Sequence, residues 1–111
     1  MSFEFEFCKL EIFIPPEYLR GLQDLLRELD AGHIGKYDSC VAYHEVTGTW
    51  RPLEDTKPFK GKLREISQEL EIKVEVTCKV SNLDEILRAI KDFHPYEEPV
   101  INAIPLLKTG L

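Results

Sequence analysis

The sequence predicts a single α+β domain spanning residues 1–111, with the element order strand, helix, strand, strand, helix, strand. Two observations predict this order. Two segments repeat leucine and isoleucine at helical spacing, and other segments alternate apolar with polar residues, as β-strands do. A chain of 111 residues that is 43% hydrophobic has enough apolar side chains for one buried core.

The first strand is predicted near the N-terminus, and it is apolar on both faces. One face carries alternating apolar residues, namely Cys8, Leu10, Ile12 and Ile14. The other carries phenylalanines beside a lysine and a glutamate, namely Phe3, Phe5, Phe7, Phe13, Lys9 and Glu11. Either a bulge near Cys8 shifts the alternation, or another subunit covers the second face. We favour the second interpretation, because a phenylalanine row left in water would promote aggregation. The four phenylalanines are therefore the predicted oligomer interface.

Two helices are predicted from their apolar stripes. The first follows Pro16, which suits a first helical turn, and Gly32 stands where a left-handed C-cap is expected. Its stripe consists of Leu19, Leu22, Leu25, Leu26 and Leu29. The second begins at Ser81 or Asn82, with an acidic residue three positions on as a capping box, and Pro95 bars its continuation. Its stripe consists of Leu83, Ile86, Leu87, Ile90 and Phe93.

Three further strands complete the predicted fold. Residues 72–80 alternate apolar and polar side chains, residues 36–46 form the preceding strand, and residues 100–106 form the last. Pro105 favours an edge position for the last strand. Together these elements predict a ferredoxin-like βαββαβ sandwich, with two helices on one face of a four-stranded antiparallel sheet. A long loop or extra hairpin, residues 47–62, follows the second strand.

The charge and the cysteines exclude several classes of protein. A net charge of −6 and a pI near 5.1 argue against nucleic-acid binding, which requires clustered basic residues. We expect neither a signal peptide nor a membrane helix, because no basic region precedes an apolar run and no stretch approaches about 20 apolar residues. Three scattered cysteines fit buried thiols in a reducing cytosol. We therefore expect a cytoplasmic protein.

Three segments contain more unusual residues than folding alone requires. In the first, residues 32–37, glycines flank His33 before Tyr37. This segment is either a plain connection or a rim that presents both side chains to a ligand. The second lies in the long connection and carries Trp50 and Arg51, residue types common at interfaces. It either packs on its own subunit or contacts a neighbouring subunit or partner.

The third segment, residues 94–99, places His94, Tyr96 and Glu97 on a turn that two prolines stiffen. Its imidazole and carboxylates could hold a copper or zinc ion, or the segment could simply stop the helix with solvated acids. The three histidines lack the spacing of a preformed zinc site. No nucleophile turn, nucleotide loop or paired-acid cleft is visible, so we expect no enzyme and no required cofactor.

Four segments, in this order, resemble the YqfO-type insert domain of the Nif-three-like dinuclear-metal proteins: Ala31–Tyr37, Gly48–Glu54, Pro58–Gly61 and His94–Pro99. The resemblance extends over nearly the whole chain. It implies a CutA- and PII-like fold, which is the ferredoxin-like plan, and such modules commonly form trimers. The His-Pro-Tyr-Glu motif also resembles one in CutA, whose family name refers to divalent-cation tolerance. The residues that hold two metals in the larger proteins belong to a flanking domain, so no metal ligand or catalytic residue is carried over.

These observations lead to two hypotheses. In the first, the chain is an oligomeric binding or regulatory module, a trimer or a dimer, whose subunit clefts bind a small anion, a metabolite or a divalent metal. The candidate ligand-binding residues are His33, Tyr37, Trp50, Arg51 and Tyr96, and the candidate metal ligands are His94 and Glu97. In the second, the chain is a structural or protein-interaction domain without a small ligand. An internal pair of Arg51 with Glu97 or Glu54 would favour the second.

Overall fold

The computed structural model describes residues 4–110 and places their helices and strands in the predicted order. The strands are β1 (Phe7–Ile14), β2 (Val41–Trp50), β3 (Ser67–Lys79) and β4 (Ile101–Leu106), and the helices are α1 (Leu19–Glu28) and α2 (Leu83–Phe93). The strand order is β2-β3-β1-β4, and every neighbouring pair is antiparallel. This arrangement confirms the ferredoxin-like plan, with β4 at an edge of the sheet as predicted.

The core lies between one face of the sheet and the two helices. The four alternating apolar residues on the first face of β1 are at most 2% exposed. They pack with apolar side chains of β3 and of both helices, namely Ile72, Val74, Val76, Cys78, Leu22, Leu26, Ile86 and Ile90. Burial of this apolar surface is the main force that holds the helices on the sheet. Cys8 and Cys78 are free, buried thiols, as expected, whereas the free thiol of Cys40 is only partly buried.

The pairing of β1 excludes the bulge that was one of the two interpretations of its phenylalanines, while cover by another subunit stays a prediction. β1 pairs with β3 residue for residue over its whole length, so no bulge shifts the alternation. Phe7 and Phe13 therefore lie on the face away from the helices, which we call the open face. Phe5 precedes β1 and lines a separate hollow with Leu83. Phe3 lies outside the described residues.

The middle of the open face is ionic rather than apolar. The ammonium of Lys73 lies 3.0 Å from a carboxylate oxygen of Glu11 and 3.6 Å from one of Glu75. The ammonium of Lys9 lies 3.7 Å from Glu75. These charges separate the two phenylalanines of β1, so the predicted row becomes two patches at opposite ends of the sheet.

The hairpin of β2 and β3 is longer than predicted. β2 was predicted at residues 36–46 and occupies Val41–Trp50, while β3 begins at Ser67 rather than at residue 72. The reason is that main-chain pairing continues out to Trp50 opposite Ser67, where none of the side chains of residues 46–50 and 67–70 is fully buried. The connection is therefore residues 51–66, which we call the hairpin loop, instead of residues 47–62.

Two predicted helix ends differ from the structure. α1 ends at Glu28, and Gly32, with φ +81°, instead links β3 to Cys40, the residue before β2, through its backbone. Its N–H donates to the Thr77 carbonyl at 2.8 Å, and its carbonyl accepts from the Cys40 N–H at 2.9 Å. α2 starts without a side-chain cap hydrogen bond, so the expected capping box is not formed. Within residues 4–110, no helix combines the length and the apolar character that crossing a membrane requires.

Candidate functional site

A cavity of about 690 Å³ lies at the end of the sheet where β1 and β2 finish and β3 and β4 begin. The hairpin loop forms one wall, and residues 94–99, which we call the proline turn, face it. Four of the predicted site residues line this cavity together, namely Trp50, Arg51, Tyr96 and Glu97. Phe13, Phe59 and Glu71 also line it, although the sequence analysis assigned none of them to a ligand site.

His94 fixes the proline turn to β1. Its Nε2 lies 2.6 Å from the carbonyl oxygen of Phe13, which can only accept, so Nε2 carries the proton. Its Nδ1 lies 3.1 Å from the backbone N–H of Tyr96, which can only donate, so Nδ1 is unprotonated. Burial lowers the pKa of His94, and the hydrogen bond to Phe13 opposes that effect. His94 is therefore a neutral, internally bonded ring that sets where Tyr96 enters the cavity.

Aromatic rings form much of the cavity wall, and Tyr96 is at their centre. Its ring centroid lies 5.8 Å from that of Trp50, 5.9 Å from that of Phe59 and 4.8 Å from that of His94. The indole N–H of Trp50 donates to the carbonyl of Lys60 at 3.0 Å, so the ring is held by the hairpin loop. The wall is thus apolar and anchored at several points, which suits a small organic ligand.

A buried carboxylate faces the same cavity. Glu71 of β3 is only 6% exposed, and it lies against Gly48 of β2. A Cβ at position 48 would overlap the Oε1 atom of Glu71, so glycine is what leaves room for this carboxylate. Burial raises the pKa of Tyr96, and the charge of Glu71 and a hydrogen bond with it add to that effect. Tyr96 is therefore a neutral phenol beside a negative charge.

Arg51 lies on the cavity wall with its charge uncompensated. Among residues 4–110 its guanidinium has neither an ion pair nor a hydrogen bond, and the side chain is exposed. The two acids that could have paired with it have other partners. Glu54 binds Arg64 at 2.6 Å, and Glu97 accepts a hydrogen bond from the backbone N–H of Lys57 at 2.8 Å. Neither of the internal pairs that would favour a purely structural domain is formed.

His33 and Tyr37 do not line this cavity. Nδ1 of His33 lies 2.7 Å from the Asp30 carboxylate, and Nε2 lies 3.1 Å from the carbonyl of Gly35. Both partners accept, so both nitrogens donate, and the hydrogen bond to Asp30 is the main cause that raises the pKa of His33. Tyr37 is 74% exposed. The structure therefore separates this pair from the other candidates, and their role in ligand binding stays a prediction.

His94 and Glu97 share the proline turn, but their donor atoms have protein partners. Both ring nitrogens of His94 are engaged, and one oxygen of Glu97 accepts from the Lys57 backbone. Across the described residues, no group of three or more His, Cys, Asp or Glu side chains is placed to hold a metal ion. Copper or zinc binding at this pair stays a prediction.

Comparison with known proteins shows the relatives of the chain, although no family model matches it. A Staphylococcus epidermidis protein named GTP cyclohydrolase 1 type 2 homolog is 38% identical over 102 residues, which are 92% of this chain and 28% of that protein. The structure of a Bacillus cereus protein related to NIF3 superposes with a TM-score of 0.81 and 27% identity, over 96% of this chain and 27% of that one. The chain is homologous to a segment of the NIF3-related proteins.

The chain spans about 28% of the length of the NIF3-related relative that it matches at 38% identity, as the resemblance to an insert domain implied. The periplasmic divalent cation tolerance protein CutA from Archaeoglobus fulgidus superposes with a TM-score of 0.69 and 20% identity. That match covers 93% of this chain and 86% of CutA, so it concerns the whole fold. Both parts of the predicted resemblance, to the NIF3-related proteins and to the CutA-like fold, are confirmed.

Proposed function

We propose that this domain is a small-molecule-binding module whose ligand occupies the cavity between the hairpin loop and the proline turn, and that it is not a catalyst in its own right. The observation that carries the proposal is Arg51, an exposed guanidinium on the cavity wall without a partner among residues 4–110. A free guanidinium beside the rings of Trp50 and Tyr96 suits a ligand that has an acidic group and an apolar body.

The hairpin loop holds Arg51 between two anchored neighbours. On one side, the indole of Trp50 donates to the Lys60 carbonyl at 3.0 Å. On the other side, Pro52 is buried, and its carbonyl accepts from the backbone N–H of Arg64 at 2.7 Å. A backbone that is ordered before binding lowers the entropy lost when the ligand is bound.

We further propose that the module acts as a homo-oligomer, with a trimer favoured over a dimer as the CutA-like fold suggests. The hairpin loop supports this proposal, because it exposes large apolar side chains. Leu53 is 48% exposed, Phe59 43% and Leu63 52%. A neighbouring subunit that covered these side chains would place the cavity at a subunit cleft and would narrow its opening.

The proposed function is tested by a thermal-shift screen followed by calorimetry. The panel contains small carboxylates, phosphates, nucleoside triphosphates and the copper and zinc ions, since the name of the relatives refers to GTP. We expect an anionic ligand to raise the melting temperature of the wild-type protein, because a ligand that binds only the native state stabilises it. The Arg51→Gln variant should bind the same ligand about tenfold more weakly, because a charge-assisted hydrogen bond is lost.

The matched control for that experiment is Arg20→Gln. Arg20 is an exposed arginine of α1 that does not line the cavity, so its replacement removes the same charge elsewhere. Equal losses of affinity in the two variants would show that only the overall charge matters, and the assignment of Arg51 would then be wrong.

A structural or protein-interaction domain is the second candidate, and His94 is the observation that favours it. Its two ring nitrogens bind Phe13 and Tyr96, so this part of the conspicuous motif serves the fold. If no member of the panel changed the melting temperature, while size measurements showed an intact oligomer, the structural candidate would replace the binding module.

A further inference from the structure

Glu71 is a buried carboxylate that has a hydrogen bond with Tyr96 but no cationic partner among the described residues. None of the ion pairs within residues 4–110 includes it. The nearest lysine on the same strand face, Lys73, is engaged with Glu11 at 3.0 Å and Glu75 at 3.6 Å. At 6% exposure Glu71 has lost nearly all of its contact with solvent. A buried charge without a countercharge is unfavourable, so such groups are normally paired.

The cavity that Glu71 faces is more acidic than basic. Five of the lining residues are acids, namely Glu54, Asp55, Glu71, Glu97 and Glu98, and two are bases, namely Arg51 and Lys60. The bond between Glu54 and Arg64 removes one acid from this balance, and the excess remains negative. A cavity with an excess of one charge and low-dielectric walls concentrates ligand groups of the opposite charge.

The rings around the cavity provide a second, independent contact for a cation. The centroids of Trp50 and Phe59 lie 5.8 and 5.9 Å from that of Tyr96, and all three rings line the cavity. Aromatic faces attract ammonium and guanidinium groups, and tryptophan does so most strongly. The rings therefore favour the same class of ligand group as the carboxylate does, through a different interaction.

We infer that the ligand of this cavity carries an organic cation, a protonated amine or a guanidinium group, which binds Glu71 beside the rings of Trp50 and Tyr96. The inference rests on the proposed function and extends it, because Arg51 then binds an acid at the other end of the same molecule. The ligand is thus a zwitterion of the amino-acid type. Gly48 belongs to the site, because it leaves the space in which the carboxylate of Glu71 lies.

An organic cation fits this cavity better than an inorganic ion. A bound metal needs several His, Cys, Asp or Glu donors, and no suitable group of three exists in the part of the chain that the structure describes. An amine or guanidinium needs only one carboxylate and gains further contact with aromatic faces. Both of those elements are present around Glu71.

The experiment uses the fluorescence of Trp50, which is the only tryptophan of the chain and lines the cavity. Four probes of similar size separate the two charges: butylamine, butyrate, γ-aminobutyrate and butanol. Each is titrated into the full chain at neutral pH, and calorimetry confirms the dissociation constants. The variants are Glu71→Gln, Arg51→Gln and Glu45→Gln. The last is the matched control, because Glu45 is an exposed acid of β2 that does not line the cavity.

We expect the wild-type protein to bind butylamine more tightly than butanol, and γ-aminobutyrate more tightly than either. Glu71→Gln should weaken binding of butylamine and γ-aminobutyrate about tenfold, since a desolvated charge pair is lost, and should not weaken binding of butyrate. Arg51→Gln should weaken binding of butyrate and γ-aminobutyrate and should not weaken binding of butylamine. Glu45→Gln should behave as the wild-type protein. A Glu71→Asp variant, which keeps the charge, should retain the preference for butylamine over butanol.

The inference and the proposed function can fail separately. The inferred binding of an organic cation is wrong if the wild-type protein binds butylamine no more tightly than butanol, or does not respond to butylamine. This test does not depend on whether the Glu71 variants fold. Equal losses in Glu71→Gln and Glu45→Gln overturn the inference as well. If Arg51→Gln did not change the affinity for butyrate and γ-aminobutyrate, the proposed role of Arg51 would be wrong. A dependence of butylamine binding on Glu71 would still support the inferred cation site.

Discussion

The two histidines outside β2 are held in opposite protonation states. His94 donates through one nitrogen and accepts through the other, which only the neutral ring can do. His33 faces two acceptors, which the cationic ring satisfies. Their pKa values are shifted accordingly: burial lowers that of His94, and the hydrogen bond to Asp30 raises that of His33. The same residue type therefore gives stability to the fold in two opposite ranges of pH.

Stability should fall as the solution is made mildly acidic, and His94 should be one cause. The unfolded chain takes up a proton on this residue near its ordinary pKa of 6.5, whereas the native state takes it up at lower pH. Below that pH the unfolded state binds more protons, so the free energy of unfolding decreases as the pH falls. Urea unfolding between about pH 7.5 and 5.5 measures this slope.

The His94→Gln variant isolates that contribution, and His33→Gln supplies the background in which it is measured. His33 acts in the opposite direction, because its stabilising effect is complete below pH 6.5 and is lost as the pH rises through its raised pKa. In the His33→Gln background, replacing His94 should flatten the pH dependence and cost about 1–3 kcal/mol near neutral pH, where the Phe13 carbonyl and the Tyr96 N–H lose their partner. If the slope of the unfolding free energy against pH were unchanged by this replacement, the pKa of His94 would be the same in the native and unfolded states.

At the scale of the elements, the two helices pack against each other at a glycine. A Cβ on Gly21 of α1 would lie 2.7 Å from the Cζ atom of Phe93 at the end of α2. The ring of Phe93 also packs edge-on against Tyr18, with 6.0 Å between their centroids, so it is not free to move aside. The position of α2 relative to α1 therefore depends on the missing side chain at position 21.

Gly21→Ala should destabilise the protein by about 1 kcal/mol. Alanine in a helix gains roughly 0.5–1 kcal/mol over glycine, but overpacking a filled contact costs typically about 1–3 kcal/mol. Urea unfolding of Gly21→Ala, Phe93→Leu and the double variant measures both effects. In the Phe93→Leu background the clash is relieved, so alanine should then be neutral or stabilising. A stabilising Gly21→Ala in the wild-type background would contradict the packing seen here.

Buried helices and strands could be predicted from the sequence, and exposed strand segments could not. The stripes of α1 and α2 and the alternation of β1 and most of β3 could be predicted because burial on one side imposes a periodic pattern. The two ends of the hairpin could not, because residues 42–45 in the first half of β2 and residues 68–70 near the start of β3 are exposed on both sides of the sheet. The start of β2 was therefore placed too early.

At the scale of the whole molecule, the hairpin makes the protein elongated. Its principal extents are 45 × 36 × 22 Å and its radius of gyration is 15.3 Å, whereas a compact domain of this length has about 13 Å. The hairpin loop at the far end is basic, although the chain has a net charge of −6. Its charged residues are Arg51, Glu54, Asp55, Lys57, Lys60, Lys62, Arg64 and Glu65. A basic projection on an acidic body favours contact with the body of another copy.

The cavity could be predicted only in part, because it is assembled from distant segments. Trp50, Arg51, Tyr96 and Glu97 stood out as unusual residues on loops, and the fold brings them together. Glu71 could not be recognised as a site residue, because it occupies a polar position in the alternating pattern of β3 and such positions are normally exposed to solvent. Its burial arises from the glycine that pairs near it on β2, a relation that only the register of the two strands shows.

The open face should mediate assembly at the end opposite to the cavity. Phe7 of β1 pairs with Leu106 of β4 there, and Ile104 beside it is 39% exposed, so an apolar patch remains uncovered by the described residues. Phe13 lies at the other end and lines the cavity, which leaves Phe7 as the described phenylalanine best placed for contact with a second copy.

Replacing Phe7 should therefore weaken self-association. A phenylalanine buried at an interface contributes on the order of 2 kcal/mol, so Phe7→Ala should raise the dissociation constant of the oligomer about thirtyfold. Sedimentation and light scattering over a range of concentrations measure this change. A wild-type protein that stayed monomeric at all concentrations would leave the open face exposed to solvent and would show that no twin copy covers it.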